Sequence, residues 1–409
     1  MSARPLFLLF LSGLASCVSY ERNDATPQSI AAIIDARVGG TFSVDQAIDV
    51  ALRQNPRLQA LTARLRAADA ATTVPLPVRA NWLGRNESVE ALIDPIALLG
   101  LGPRGAAIDR AESRVLEAAA QLVVQRWQTI AGVATEFHIH KALQELQVTD
   151  LDLDVDSFER AGLASPVAAM QLRAAQARSH SEQVELTRER SDNLARLREL
   201  LGLPDHAQLT ITAIVDDWLQ QPEGTASEIV TRPDLSLAAA RFEVADAELY
   251  QAVTEQYPSL KLGPNISLIG NPMRAMAMLQ IPIGMQGLAE AARERREATR
   301  SELESAFLHA RREASLSQQQ LIATQAVAAA TAAGLRSSAA AFDAARASIK
   351  VEVDAFAKFA NAATKVMRNT MEHRRAVLAR VRAEVQRASA YGWPRGQQPT
   401  PNKIPEQQS

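Results

Sequence analysis

Cysteine, aromatic residues and net charge are all scarce in this sequence. A single cysteine excludes an intrachain disulfide and a cysteine-based zinc site. Phenylalanine, tryptophan and tyrosine make up 4% of 409 residues, few for a large core of the usual kind, which aromatics dominate energetically. The 44 basic and 46 acidic residues leave a net charge of −2, without the basic footprint that nucleic-acid binding needs. Long apolar runs are missing as well. Past the N-terminal segment nothing approaches the ~20 consecutive apolar residues of a transmembrane helix, so a later membrane crossing would require a closed β-barrel. No phosphate loop, nucleophile elbow or paired-carboxylate site has the surrounding pattern that catalysis requires, and no enzymatic activity is expected.

Alanine takes the place of the aromatics. Hydrophobic residues reach 47% and charged residues 22%, and an Ala/Leu/Glu/Arg/Gln-rich chain reads as long helices packed close together. The N-terminus reads as an address. Arg4 supplies a positive segment and Leu6 to Leu11 a short apolar one, too short for a comfortable membrane span. Leu14-Ala15-Ser16-Cys17 resembles a bacterial lipoprotein box, in which the cysteine is lipidated, and Cys17 is the sole cysteine. Val18 follows it, and by resemblance to sorted lipoproteins this favours the outer membrane. The covalent lipid on Cys17 is the only non-protein group expected; no cofactor or metal is.

The chain is written twice. Asn55-Pro56-Arg57-Leu58 is answered by Arg232-Pro233-Asp234-Leu235. Pro95-Ile96 with Gly100-Leu101 is answered by Pro282-Ile283 with Gly287-Leu288, and Gly202-Leu203-Pro204 by Gly392-Trp393-Pro394. Matches in one order, at slowly lengthening intervals, indicate a duplicated unit. The expected organisation is a signal over 1–16, a linker over 17–40, a first repeat over 41–204, an inter-repeat segment over 205–226, a second repeat over 227–394 and a disordered tail over 395–409.

Each repeat has one plan. The first begins with a helix over 43–73, where Ser43 and Gln46 make a capping-box pattern. A punctuated stretch follows, then a long helix over 106–158, a break at Gly162 and Pro166, and a helix over 167–201 stopped by Gly202. The second predicts helices over 227–255, 288–346 and 351–390. At 1.5 Å per residue the long helices should reach roughly 80–90 Å, a length that points to coiled-coil packing. The punctuated stretches hold the strands: residues 78–83 and 88–96 around Gly84-Arg85-Asn86, and 260–269 and 273–283 around Gly270-Asn271-Pro272. Such strands are at or below the ~9–11 residues of a membrane-crossing strand. Trp82 is the clear aromatic-belt candidate, and Arg85, Glu87 and Glu90 charge the first hairpin.

Helix, two strands, long helix, tip and helix, repeated behind a lipoprotein signal, resemble the TolC-type outer-membrane efflux channels. The residues that carry the resemblance are Ala47 to Leu58, Arg232 to Leu235, Tyr257 to Leu260, Ala161 to Ser165 at one helical tip, and Ser348-Ile349 with Val353-Asp354-Ala355 at the other. The resemblance implies a mainly α fold with a small β part and a homotrimer. Four strands per subunit would enter a shared 12-stranded barrel, and the helical hairpins would form a periplasmic tunnel. It also implies outer-membrane localisation, an inner-membrane pump and a periplasmic adaptor as partners, passive conduction, and a gate at the tip. Segment 203–225, with Leu209-Thr210-Ile211-Thr212, would join an equatorial collar.

On that resemblance Asp354 matches an aspartate of the second tip. Three copies would ring the pore, repel one another and favour cations, with Glu352 adding to the ring. Gly162, Leu163 and Ser165 at the first tip, and Ser348 at the second, are the candidate contacts for the adaptor or pump. Asp150, Asp152, Asp154 and Asp156 alternate with apolar residues but lack the glycine and glutamate of a calcium loop. His138 and His140 read as helix-surface histidines. Two other readings compete: a lipid-tethered periplasmic coiled-coil scaffold without a working barrel, for which short strands argue, and an enzyme on helical scaffolding, disfavoured by the missing site.

Overall fold

Proline, glycine and asparagine set the element boundaries. The computed structural model describes residues 25–73, 78–83, 88–95, 102–146, 154–162, 164–212, 229–267, 274–282, 285–348 and 355–392. In chain order these form α1 (Pro27–Asp35), β1 (Gly40–Phe42), α2 (Val44–Gln54), α3 (Pro56–Ala70), β2 (Val78–Leu83), β3 (Ser88–Ile93), α4 (Pro103–Glu145), α5 (Val155–Arg160), α6 (Pro166–Leu201), β4 (Leu209–Ile211), α7 (Pro233–Thr254), β5 (Ser259–Ser267), β6 (Arg274–Gln280), α8 (Gln286–Ser348) and α9 (Ala355–Ala390). The order helix, strand, strand, long helix, helix occurs twice.

The capping box forms as expected: Gln46 N–H donates to the Ser43 hydroxyl at 3.3 Å, and Ser43 N–H donates to Gln46 Oε1 at 3.0 Å. The single helix expected over 43–73 is two, however. Asn55 sits at φ −65° and ψ 118°, because a residue before proline is pushed out of the helical region. It then caps α3 through Arg57 N–H at 2.9 Å, with Pro56 at a position whose missing N–H costs nothing. Pro233 likewise opens α7, although Arg232 before it makes no side-chain cap bond.

The long helix expected over 106–158 is also corrected. It ends at Glu145, and α5 begins only at Val155. At 43 residues α4 is ~65 Å long, whereas α8 at 63 residues reaches ~95 Å. Arg190 of α6 explains the stop. Its Nη2 donates to the carbonyls of Leu143 at 2.7 Å and Leu146 at 3.3 Å, and its Nε to Leu143 at 3.1 Å. A cation thus satisfies terminal carbonyls that no helical N–H can reach, at the negative end of the helix dipole. Asp154 marks the next start, its carboxylate accepting from Ser157 N–H at 3.1 Å. Of the alternating aspartates, Asp154 is therefore a helix cap and Asp156 lies in the short helix after it, while Asp150 and Asp152 lie outside the described residues.

Four buried clusters tie the helices together. One lies where α5 and the start of α6 meet the start of α9 and the end of α8. A second joins Ile139 and Leu143 of α4 to Leu186 of α6 and Leu378 and Val381 of α9. The last two are counterparts in the two repeats. In the first, α2, α4 and the end of α6 close around Phe137, with β1 and β4 against them; in the second, Leu235 of α7 packs on Ala310 and Ala314 of α8 and Ala390 of α9. β1 and β4 form a parallel pair that ties the segment before α2 to the segment after α6. Helices α6 and α9 end alike, on Gly202 at φ 68° and Gly392 at φ 80°, a conformation that glycine alone adopts without strain. An arginine clamps each end: Arg37 donates to the Gly202 carbonyl at 2.6 Å and Arg232 to the Ala390 carbonyl at 2.9 Å.

The other sheet has the antiparallel order β2-β3-β5-β6, with β2 and β6 at its edges; among the described residues it does not close. Its ladder between β3 and β5 is interrupted at Gly263-Pro264, where proline has no N–H to give.

Candidate functional site

The first feature is the helical tip. Gly162 turns the chain out of α5 at φ 69° and is exposed. Ser165, also exposed, caps α6, accepting from Ala168 N–H at 3.3 Å ahead of Pro166. Ser348 closes α8, with its hydroxyl donating to the Ala345 carbonyl at 2.9 Å. The structure brings the α5–α6 turn together with the end of α8 and the start of α9, and joins them by a seam that sequence reasoning missed. Phe158 of α5 packs on Phe356 of α9 at 5.3 Å between centroids, Phe356 on Phe359 at 6.3 Å, and Phe359 on Phe342 of α8 at 5.1 Å. The signal was present: four of only ten phenylalanines flank the two expected tips. Beside the seam Arg173 bonds Asp156 at 2.5 Å and Glu159 at 2.6 Å, and the bonded guanidinium holds the Asp156 carboxyl below its usual range. Cys17, Leu163, Glu352 and Asp354 lie outside the described residues.

The second feature is the polarity of the open sheet. The register pairs Asn81 with Glu90, Glu90 with Asn265 and Asn265 with Arg274, so these four positions form one row. Alternation then assigns every strand position to a face. Val78, Ala80 and Trp82 share a face with Val89, Ala91, Ile93, Leu260, Leu262, Ala277 and Leu279, all apolar. Arg79, Asn81, Ser88, Glu90, Lys261, Asn265, Arg274 and Gln280 occupy the other, together with Leu83, Leu92, Met276 and Met278. All four charged strand positions are on one side.

Between tip and sheet the helices carry buried polar links. Arg374 of α9, 6% exposed, bonds Glu182 of α6 at 2.6 Å and Glu189 at 2.8 Å, fastening one hairpin to the other. His138 and His140 are buried, not on the helix surface as expected. Asn193 Nδ2 donates to the Glu136 carbonyl at 2.9 Å and to its carboxylate at 2.7 Å. Its Oδ1 therefore faces His140 Nδ1 at 2.9 Å, which places the proton on Nδ1 and leaves Nε2 to accept from Gln144 at 2.9 Å. Burial foremost, and the nearby Arg190 charge, depress the His140 pKa, against the Asn193 bond, which raises it.

Among the described residues no cluster of His, Cys, Asp and Glu could hold a metal ion, and no helix is long and apolar enough to cross a membrane.

No family model and no curated protein matches the sequence. Solved structures do. CusC, whose structures show conformational changes accompanying folding and transmembrane channel formation, is 18% identical; the match covers 92% of this chain and 99% of that one, with a TM-score of 0.71. The outer-membrane channel OprN is 16% identical over 92% of this chain and 98% of its own, with a TM-score of 0.72. The open state of the MtrE outer-membrane channel of Neisseria gonorrhoeae is 17% identical over 85% and 88%, with a TM-score of 0.70. At these identities the likeness is one of backbone, and by it this chain has the fold of the TolC-type outer-membrane channels.

Proposed function

We propose that this protein is the outer-membrane duct of a tripartite export system, a homotrimer that conducts passively and catalyses nothing. The observation that carries the reading is the sheet: one face wholly apolar, the other holding every charged strand position, both edges open. A single chain cannot keep such a sheet in lipid, because unpaired edge groups are not tolerated there. Three copies supply twelve strands, four from each, and remove every edge. The helices support the same assembly. On α6 the exposed Val167, Met170, Ala174, Ala177, Ser181 and Val184 follow a three-four spacing distinct from the buried stripe that faces α9. On α8, Ala323, Ala326, Ala330, Ala333, Ser337 and Ala340 do the same. Exposed stripes at coiled-coil spacing suit helices that pack against a neighbouring copy.

In this reading Cys17 carries the lipid, and the repeats bounded at 41–204 and 227–394 build barrel and tunnel together. Substrate passes from an inner-membrane pump through a periplasmic adaptor that docks on Gly162, Leu163, Ser165 and Ser348. Asp354 and Glu352 form the periplasmic gate.

A second reading has an observation of its own. β2 and β3 are six residues each, short of the ~9–11 that span a membrane, which favours a lipid-tethered periplasmic scaffold. One experiment separates the two. Residues 1–17 are replaced by a cleavable signal without a lipid site, and the product is extracted. A detergent-dependent trimer upholds the channel; a protein that leaves the periplasm freely in buffer upholds the scaffold.

A further inference from the structure

One face of α9 is left open by the helices around it. α8, α6 and α4 cover its other sides, where Phe356, Phe359, Met367, Leu378 and Val381 are buried. On the open face Asn361, Lys365, Arg368, Glu372, Arg375, Arg382 and Gln386 are all exposed, at intervals of three, four or seven residues that make one stripe. The four cations extend over ~26 Å of helix, and Glu372 is the acid among them. None of Lys365, Arg368, Arg375 and Arg382 forms an ion pair among the described residues. The elements packed on α9 do not supply the missing acids. On α6, Glu182 and Glu189 are bonded to Arg374, and Glu185 and Asp192 are matched in number by Arg178 and Arg188. α8 has no acid between Glu313, which is bonded to Arg232, and Asp343. On α4, Glu136 is bonded to Asn193, and Glu145 has Lys141 four residues before it. Four cations less one acid leave the stripe an excess of three positive charges per chain.

We infer that α9 turns this stripe into the lumen and makes the helical tunnel an anion-attracting path, with Lys365, Arg368, Arg375 and Arg382 as its specificity-determining residues. The inference rests on the channel reading and names a solute class for it. Two observations favour the lumen over a contact between copies. The stripe is charged, whereas the exposed stripes of α6 and α8 assigned to neighbouring copies are small or apolar. Carried back along the sequence, the same spacing passes Lys358 and reaches Asp354, the residue proposed for the gate. A helix face that meets the pore at its gate continues along the pore above it. Successive cations are ~5–11 Å apart along the axis, comparable with a Debye length of ~8 Å, so their fields overlap in physiological salt. Three copies place three stripes around one lumen. A wall of that sign raises the local concentration of anions and repels cations. Inorganic anions and organic acids therefore pass the tunnel more readily than cations of the same size, once beyond an acidic gate of opposite sign.

The test uses the full lipidated chain reconstituted in planar bilayers under a KCl gradient, with the reversal potential as readout. Replacing Lys365, Arg368, Arg375 and Arg382 together by glutamine is expected to lower the chloride-to-potassium permeability ratio about twofold or more, and Glu372→Gln to raise it. All five side chains are exposed, so the substitutions leave the fold intact. For a check within one folded pore, Arg368→Cys is assembled first and then modified with thiol reagents of either charge. The cationic reagent should restore the original ratio and the anionic one should shift it further toward potassium. Rapid modification of that thiol with an unchanged ratio places the stripe on the outer wall and overturns the inference. A ratio indifferent to every substitution overturns it as well and leaves the channel standing. Absence of conductance in the unmodified chain overturns the channel and this inference with it.

Discussion

At His140 a single proton has a stability consequence. The neutral ring is the form that both neighbours accept: Nδ1 donates to Asn193 and Nε2 takes a bond from Gln144. Its folded pKa lies below the ordinary 6.5. Between those values the unfolded chain binds a proton that the folded chain does not. Stability from this group is therefore complete above about pH 6.5 and is lost as pH falls through the window beneath it. His373, also depressed by burial and by Arg380, acts in the same direction. Thermal unfolding between pH 7.5 and 5 should show a declining midpoint, and His140→Gln should flatten that slope without abolishing it. Arg374 gives a larger effect. Arg374→Ala leaves Glu182, 8% exposed at its side chain, as an uncompensated buried charge and should cost about 3–5 kcal/mol in denaturant unfolding. Pairing Arg374→Met with Glu182→Leu should recover most of the loss. For Asp354, replacement by alanine is expected to weaken cation preference or cation blockade of the reconstituted pore; unchanged blockade would remove it from the gate. The burial of His138 and His140 was not legible beforehand. Two histidines two apart on a helix look like surface residues because no single helical face holds both. Here α4 is covered by α6 on one side and α9 on another, and only the tertiary arrangement supplies the second cover.

Element boundaries were legible where a side chain fixes the backbone locally. Ser43 with Gln46, Asn55 with Pro56, and Gly202 all act within a few residues of themselves, so pattern alone finds them. The end of α4 is different, because Arg190 stops it from 47 residues away. The sheet stands between these cases: its strands could be read from alternation, but which strand neighbours which, and therefore the shared row of Asn81, Glu90, Asn265 and Arg274, needed the register. At the tip, the phenylalanine seam makes the two hairpins one mechanical unit. Phe359→Ala should cost about 3–5 kcal/mol and open the α5–α6 turn to protease before the rest of the chain unfolds. The proposed adaptor contact can be tested there without damaging the fold. Ser165→Asp keeps a good helix cap, so loss of adaptor crosslinking at unchanged stability would report the contact itself; normal crosslinking would exclude Ser165 from it.

For the whole molecule the duplicated plan has a division of labour. Among the described residues the buried clusters belong to helices and to the small parallel pair. The helical part therefore has its cohesion within one chain, while in the proposed trimer the sheet would gain its closure from other chains. In that assembly the asymmetry would order biogenesis. A new chain would mature its helices alone, and its sheet would wait for two companions. The final step then depends steeply on how many copies the envelope holds. Halving expression would deplete finished assemblies by more than half and leave a pool of helical, sheet-less subunits that quality-control proteases would find first at their unpaired strands.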